Sequence, residues 1–419
     1  MSEKNLEMRE TAARICRDYL HGVWKRVTAE NITLKRISGG LSNWLYNVQL
    51  PDGAVPIRGE PRQVLLRLYG QVHGERALEG LITESVIFTL LSERRLGPKL
   101  HGIFPGGRIE EYIPARPLLT KELSDPTLSS MIAEKLGQIH TMQVPISKEP
   151  TWLWDTMTKW LATATDILEN IEEIDERQRD NVYVLRSIDL EEEINWFREL
   201  VAQEKHPVVF CHNDMQEGNI LLRQNSRKTE LVVIDFEYCS YNYRGFDIAN
   251  HFIEWQYDYT APKYPFFHER TMAGPTKEQK GETLACVACV CISFTGGLQF
   301  TGETGRGRGR EKERGKERKR ETHRIDARYL GIKLGGGIYE SFATATCILT
   351  RVYSPSYGTR TQPPLLCRLT IGRQHTPSRD LLDYAVCRLQ NYQCLKEKLL
   401  VSGPPTLDGA IRRKVTDSD

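Results

Sequence analysis

The chain has 419 residues and a formal net charge of +2, enough length for a large buried core and too little charge imbalance to mark nucleic acid as a partner. Residues 305–321 hold nine Lys/Arg against four Glu, a local +5 (9 − 4), so the rest of the chain sums to about −3 (2 − 5) and is mildly acidic. No uncharged apolar stretch reaches the ~18–20 residues of a bilayer span, and the opening "MSEKNLEMRETAARICRDYL" has no apolar h-region; the expectation is a cytoplasmic protein without membrane insertion.

Residues 7–20 carry helical apolar spacing, and "ITLKRI" and "WLYNVQL" then read as strands flanking the glycine turn "SGGLSN". "VLLRLYG" follows as an apolar strand interrupted by Arg67, and "EGLITESVIFTLLSERR" as an amphipathic helix carrying Glu84. A strand with one inward cation and then a helix with one carboxylate is the order in which protein kinases place the ion pair that grips nucleotide phosphates. "LGPKLHGIFPGGRIEEYIP" supplies two short strands and a connector ending at Pro114. Residues 127–142, 151–171 and 190–204 each show 3.6-residue apolar periodicity.

Two strand signals close the pattern, "PVVF" and "LVVIDF", and between them lies "CHNDMQEGN", residues 211–219. Phosphoryl transfer needs a carboxylate to orient or deprotonate the attacking hydroxyl and oxygen ligands for the metal that bridges the phosphates. Asp214 is the candidate base. Asn219, five residues on, and Asp235, at the end of the second strand signal, are candidate Mg²⁺ ligands facing one cleft, a hard-oxygen set suited to that ion. The same residues could instead be turn formers, since Asn and Asp bond their own backbone. His212 reads as a loop-ordering hydrogen-bonder rather than a metal ligand. A β-rich lobe, a hinge and a helical lobe with a short catalytic hairpin is an α+β, protein-kinase-like two-lobed fold.

"VVFCHNDMQEGNILL" with "LVVIDFEYCSYNYRGFDIANHFIEWQYDYT" resembles the choline/ethanolamine kinase family, and "SGGLSNWLYNVQLP", "VLLRLYG" and "EYIPARPL" match its N-terminal lobe in order, over about residues 7–278. The resemblance, strongest to vertebrate-type members, implies ATP and Mg²⁺ as cofactors, choline and ethanolamine as substrates, a place at the start of phosphatidylcholine and phosphatidylethanolamine synthesis, and a homodimer or a heterodimer with another choline kinase. It implies Asp214 as base and Asn219 and Asp235 as metal ligands. Gly39, Gly40, Leu41, Ser42 and Asn43 would cover the phosphates, with Arg67 and Glu84 as the phosphate-side pair. Glu111, Tyr112 and Ile113 would form the adenine edge, and Gln216 would lie near the nucleotide. For a quaternary ammonium, which donates no hydrogen bond and is held by aromatic faces and a carboxylate, the matching positions are Tyr238, Glu254, Tyr259 and, near the end, Tyr384. Asp247 is open between a loop anchor and a substrate contact, and Tyr238 between substrate contact and core packing.

Beyond about Lys280 the pattern departs from the family. All seven Trp precede residue 256 and seven of ten Cys lie beyond 285, so the family's tryptophan pair on the choline pocket is missing. The organisation expected is 1–114 as nucleotide lobe, 115–279 as catalytic lobe, 280–380 as an aperiodic, disordered insert and 381–404, "LLDYAVCRLQNYQCLKEKLL" onward, as a returning terminal helix. The basic run 305–321 reads as a solvated tract, and Cys286, Cys289 and Cys291 lack a fourth zinc ligand at usual spacing. Two readings follow: an active choline kinase, or a catalytically impaired splice or gene-model variant that binds nucleotide or pairs with an intact subunit.

Overall fold

The computed structural model describes residues 3–37, 43–70, 75–170, 179–203, 205–225, 228–262 and 267–294. These fall into two units, one drawn from Met1–Pro117 and Ile220–Glu237, the other from Leu118–Asn219 and 238–294.

In the first unit helix α1 (Glu3–Tyr19) buries Ala12, Ala13, Ile15 and Cys16 and leaves Arg14 and Asp18 outside as an i,i+4 pair, the division a 3.6-residue period predicts. A five-stranded antiparallel sheet follows: β1 (Thr33–Ile37), β2 (Asn43–Gln49), β3 (Gln63–Tyr69) and, after helix α2 (Glu75–Glu93), β4 (Leu100–Phe104) and β5 (Gly107–Glu111). Its order is β1-β2-β3-β5-β4. Alternation decides which side chains meet the core: Val64 and Leu66 of β3 and Ile109 of β5 are fully buried beside Trp24, while Arg67 and Arg108 belong to the opposite face. Gly107 lies where β3 comes closest, since a Cβ there would sit 2.1 Å from the Arg67 carbonyl oxygen. The two-residue β6 (Arg116–Pro117) ends this part of the chain.

The second unit begins helically. Asp125 accepts from the amides of Thr127 and Leu128 and Pro126 occupies the first turn, where no amide is needed, so α3 (Pro126–His140) starts sharply. Helices α4 (Thr151–Glu169), α5 (Arg179–Arg186) and α6 (Leu190–Ala202) build one core from Leu153, Met157, Trp160, Leu185 and Phe197. The α6 start is capped by Asp189, and Glu191, Glu192 and Glu193 sit at its positive dipole end. Strand β7 (Val208–Cys211) leads into the candidate catalytic loop. Strands β8 (Ile220–Asn225) and β9 (Lys228–Val233) belong to the first unit, in a sheet of order β6-β8-β9. Strand β10 (Ser240–Tyr243), helix α7 (Arg244–Glu254), the short pair β11 (Tyr257–Asp258) and β12 (His268–Glu269), and helix α8 (Lys277–Phe294) complete the second.

Two expectations need correction. "PVVF" and "LVVIDF" do not form one hairpin: β7 pairs with β10, Cys211 opposite Ser240, and β9 pairs with β8. The chain from Lys280 is not aperiodic at first, because α8 runs unbroken to Phe294, with Leu284, Val287 and Ala288 buried. Its apolar residues lie all round the helix, so no face stands out in the sequence. The basic run and the 381–404 segment lie outside the described residues.

Candidate active site

Within the first unit, β3 and β5 set Arg67 directly opposite Arg108, and the pleat puts Glu110 on the same face two residues further along. Two like charges opposed across a sheet repel; one carboxylate resolves this. Glu110 Oε1 accepts from Arg67 Nε and from Arg108 Nε, each at 2.7 Å. Arg108 Nη1 donates to Glu84 Oε1 at 2.6 Å and to the Tyr69 hydroxyl at 3.1 Å, and its guanidinium lies 4.1 Å from the Phe88 ring centroid. Burial acts to raise the Glu110 carboxyl, but the two guanidiniums outweigh it and hold the group below the usual carboxylate range. Burial opposes the Arg67 charge too, yet Glu110 and, to a lesser degree, Asp235 raise its pKa.

The expected Arg67–Glu84 pair is thereby corrected: Glu84 is taken by Arg108, and Arg67 by Glu110. Sequence reasoning missed Arg108 and Glu110. The signal that could have found them is two charges at i and i+2 around the apolar Ile109, which a strand turns to one face. Of the adenine-edge residues, Glu111 accepts from Arg223 Nη2 at 2.7 Å and from the Lys99 amide, Ile113 is buried and Tyr112 half-buried. Asp235, two residues past β9, has φ +67°, a left-handed conformation that Asp tolerates better than most residues. Gly39, Gly40, Leu41 and Ser42 lie outside the described residues, as does Tyr384; Asn43 opens β2.

Within the second unit the loop after β7 is held at its backbone. Asp247, fully buried on α7, accepts from the His212 amide at Oδ2 (3.0 Å) and from the Asn213 amide at Oδ1 (2.8 Å). His140 at the end of α3 closes on Asp247 Oδ2 through Nε2 at 2.9 Å. Burial acts to raise the Asp247 carboxyl, but these hydrogen bonds and the neighbouring imidazoles hold it low. Of the two readings open for Asp247, the structure supports the anchor. Asn213, at φ +67°, donates to the Tyr238 carbonyl and the Ser240 hydroxyl and accepts from Asn242 Nδ2.

Asp214 and Asn219 meet directly: Asn219 Nδ2 donates to Asp214 Oδ2 at 2.7 Å and to the Asp214 carbonyl at 3.0 Å, and both residues are buried. Gln216 works on the turn itself, its Oε1 accepting from the Gly218 amide and its carbonyl from the Asn219 amide. His212 Nδ1 receives the Asp214 amide at 3.3 Å, the ordering role its position suggested. Glu254 is fully buried at the end of α7, where Tyr259 donates its hydroxyl to Oε2 at 3.0 Å. Tyr238 packs edge-on to Trp152 and Trp160 at 6.1 and 6.2 Å between centroids. Asp235 is in the first unit, Asp214 and Asn219 in the second.

Met215 between them is fixed by His251. The His251 Nδ1–H donates to the Met215 carbonyl at 2.8 Å, and Nε2 accepts from Trp255 Nε1 at 3.2 Å, which defines a neutral tautomer. Burial lowers its pKa. A proton on Nε2 would oppose the indole N–H, so the folded state excludes the imidazolium that the unfolded chain forms below about pH 6.5. Stability carried by this group is present above that pH and is lost as pH falls through the depressed folded value. The unfolding midpoint of His251→Gln is expected to fall less steeply between pH 7.5 and 5 than that of the unaltered chain; equal slopes would contradict the assignment.

Among the described residues one group of His, Cys, Asp and Glu lies close enough to suggest an ion: His140, Cys211 and Asp247. All three are buried, and Asp247 already accepts from two amides and an imidazole. Cys286 and Cys291 meet the backbone of α3 at Ser130 and Gly137.

A family model described as choline/ethanolamine kinase matches residues 34–285. The chain is 46% identical over 284 residues to a human choline/ethanolamine kinase, covering 64% of this chain and 70% of that one. It is 42% identical over 298 residues to choline kinase A2 of Caenorhabditis elegans, covering 65% and 69%. In fold it is similar to a choline kinase from Cryptosporidium parvum, with a TM-score of 0.66 at 24% identity over 96% of this chain and 98% of that one. A Plasmodium vivax ethanolamine kinase gives a TM-score of 0.60 at 19% identity, over 93% and 89%. The fold class is the protein-kinase-like one expected.

Proposed function

The chain belongs to the choline/ethanolamine kinase family, and on that premise we propose that it transfers the γ-phosphoryl group of ATP to the hydroxyl of choline, with ethanolamine as a second acceptor. The observation that carries the reading is the buried Asp214–Asn219 pair on a loop whose backbone is tied down at three places, by Asp247 at His212 and Asn213 and by His251 at Met215. Phosphoryl transfer asks mainly for positioned charge, and a loop clamped in this way supplies it.

In the step proposed, Asp214 accepts the acceptor's hydroxyl proton as the new oxygen–phosphorus bond forms. The bond from the γ-phosphorus to the bridging oxygen breaks, and ADP departs. Asn219 spends its Nδ2 on Asp214, so the amide oxygen is the atom it would offer a cation; the Asp235 carboxylate, the other ligand the family pattern assigns, would offer the same hard-oxygen donor type that suits Mg²⁺. That ion, when bound, neutralises charge developing on the phosphates. Arg67, kept cationic by Glu110, serves the phosphates, with Glu84 acting on it only through Arg108 and Glu110. Gly39, Gly40, Leu41, Ser42 and Asn43 cover the phosphates, the backbone of Glu111, Tyr112 and Ile113 meets adenine, and Gln216 holds the nucleotide-side turn. Glu254 and Tyr259, with Tyr238 and Tyr384, receive the cationic head. The product feeds phosphatidylcholine or phosphatidylethanolamine synthesis. A cytoplasmic dimer, with itself or another choline kinase, is the form proposed; no described helix is long and apolar enough to cross a membrane.

Purified protein given choline, ATP and Mg²⁺ is expected to form phosphocholine. Nucleotide-dependent stabilisation without phosphocholine would leave the impaired variant as the correct reading. Glu254→Gln tests the acceptor side: losing a buried charge opposite a cation costs about 1.5–3 kcal/mol, so the KM for choline rises roughly 10- to 100-fold with kcat little changed. An unaltered KM would remove Glu254 from the site.

A further inference from the structure

We infer that His140 is a positioning residue for phosphoryl transfer, holding Asp247 in the one orientation that fixes the backbone beneath Asp214. The inference rests on the proposed reaction and adds to it a residue that lies 74 positions (214 − 140) before the base, on another element.

Asp247 has two carboxylate oxygens and two backbone amides to hold. Oδ1 takes Asn213 and Oδ2 takes His212, at 2.8 and 3.0 Å. A carboxylate so engaged could still tilt about its Cβ–Cγ bond and trade one amide for the other. The third contact prevents this, because His140 Nε2 reaches Oδ2 at 2.9 Å from a different direction, the end of α3. Both side chains are fully shielded from solvent, so no water competes for the carboxylate.

The imidazole is arranged for that task. A hydrogen bond to a carboxylate requires the proton on Nε2, and the buried Nδ1 has no partner. The side chain therefore spends one polar atom entirely on Asp247 and leaves the other without a partner to do so, a cost that packing alone would not impose. What depends on it is local and stressed: Asn213 stands at φ +67° immediately before Asp214. If Asp247 turns, the amides of His212 and Asn213 lose their acceptor together and the base moves with them. A displacement of about 1 Å in a reacting group costs on the order of 10²-fold in rate.

Three variants of the full chain separate this role from simple core packing. Glutamine can present its amide N–H near the position of Nε2; asparagine is too short to do so, and leucine fills space only. His140→Leu and His140→Asn are expected to lower kcat for choline phosphorylation about 10²-fold, with KM for ATP and choline within about threefold. His140→Gln recovers most of that loss. Hydrogen exchange of the peptide spanning 208–217 supplies a readout that needs no activity: the His212 and Asn213 amides exchange about tenfold or more faster in the leucine and asparagine variants and near the normal rate in the glutamine variant. Equal kcat and equal exchange in all three would overturn the inference, as would a loss confined to KM. If the leucine variant fails to fold, the glutamine–asparagine comparison decides alone. An unaltered protein without kinase activity would sink the proposed reaction, while the exchange pattern would still test the clamp.

Discussion

Asp214→Asn is expected to reduce kcat for choline phosphorylation by roughly 10²- to 10⁴-fold, the span that a positioned proton acceptor contributes. The substitution is chosen for what it preserves. An amide oxygen can still accept from Asn219 Nδ2, as Asp214 Oδ2 does now at 2.7 Å, so the turn and its 3.0 Å bond to the Asp214 carbonyl remain. What disappears is basicity. ATP should raise the unfolding midpoint of the variant as much as that of the unaltered protein, and steady-state kinetics should assign the loss to kcat. A variant that keeps kcat within threefold would show that Asp214 is a turn residue and nothing more.

The largest stability effect is expected at Glu110. Its carboxylate is the bridge between two arginines that the sheet register holds face to face, and its side chain is only 3% exposed. Glu110→Gln leaves Arg67 and Arg108 opposed and underneutralised, at a cost of about 3–5 kcal/mol, the usual consequence of removing one member of a buried ionic group. Replacing Glu110 by Leu and Arg108 by Met together removes the opposed charge but leaves Arg67 without Glu110 and Glu84 without Arg108, so only part of that loss should be recovered. Urea unfolding of Glu110→Leu, Arg108→Met and the double variant beside the unaltered chain measures the coupling directly. If Glu110→Gln loses less than about 1 kcal/mol, the cluster is solvated in practice and Arg67 is not held by it.

The candidate site could be proposed from the sequence because phosphoryl transfer uses few residue types in a fixed order. Asp214, Asn219 and the strand-following Asp235 were singled out from spacing, and Glu254 with Tyr259 from the family pattern; the structure brings Asn219 to Asp214 and Tyr259 to Glu254. What stayed hidden depends on pairing in three dimensions. Nothing in "GRIEE" reveals that Arg108 will stand opposite Arg67, since register is set by the sheet as a whole. Nothing in "PVVF" tells that its partner is Ser240–Tyr243 rather than the next apolar run. Helix α5 was missed because eight residues with Val182 and Leu185 inside give too short a period to recognise. In α7 every residue from Gly245 to Glu254 is buried, so amphipathic contrast vanishes and periodicity marks no core face there.

The meeting of α3 and α8 has a consequence for whatever sequence can follow the family-matched span, which ends at residue 285 inside α8. Gly137 leaves a notch that Val290 fills, with no room for even a methyl group between them: a Cβ on Gly137 would fall 2.7 Å from the Val290 Cβ. Three residues further along, the same helix ends in His140. Any tail joined at 285 therefore inherits a mould. It must stay helical for two more turns and bring apolar side chains to 287 and 290, or the outer wall of the helix that steadies the catalytic loop is laid open to water.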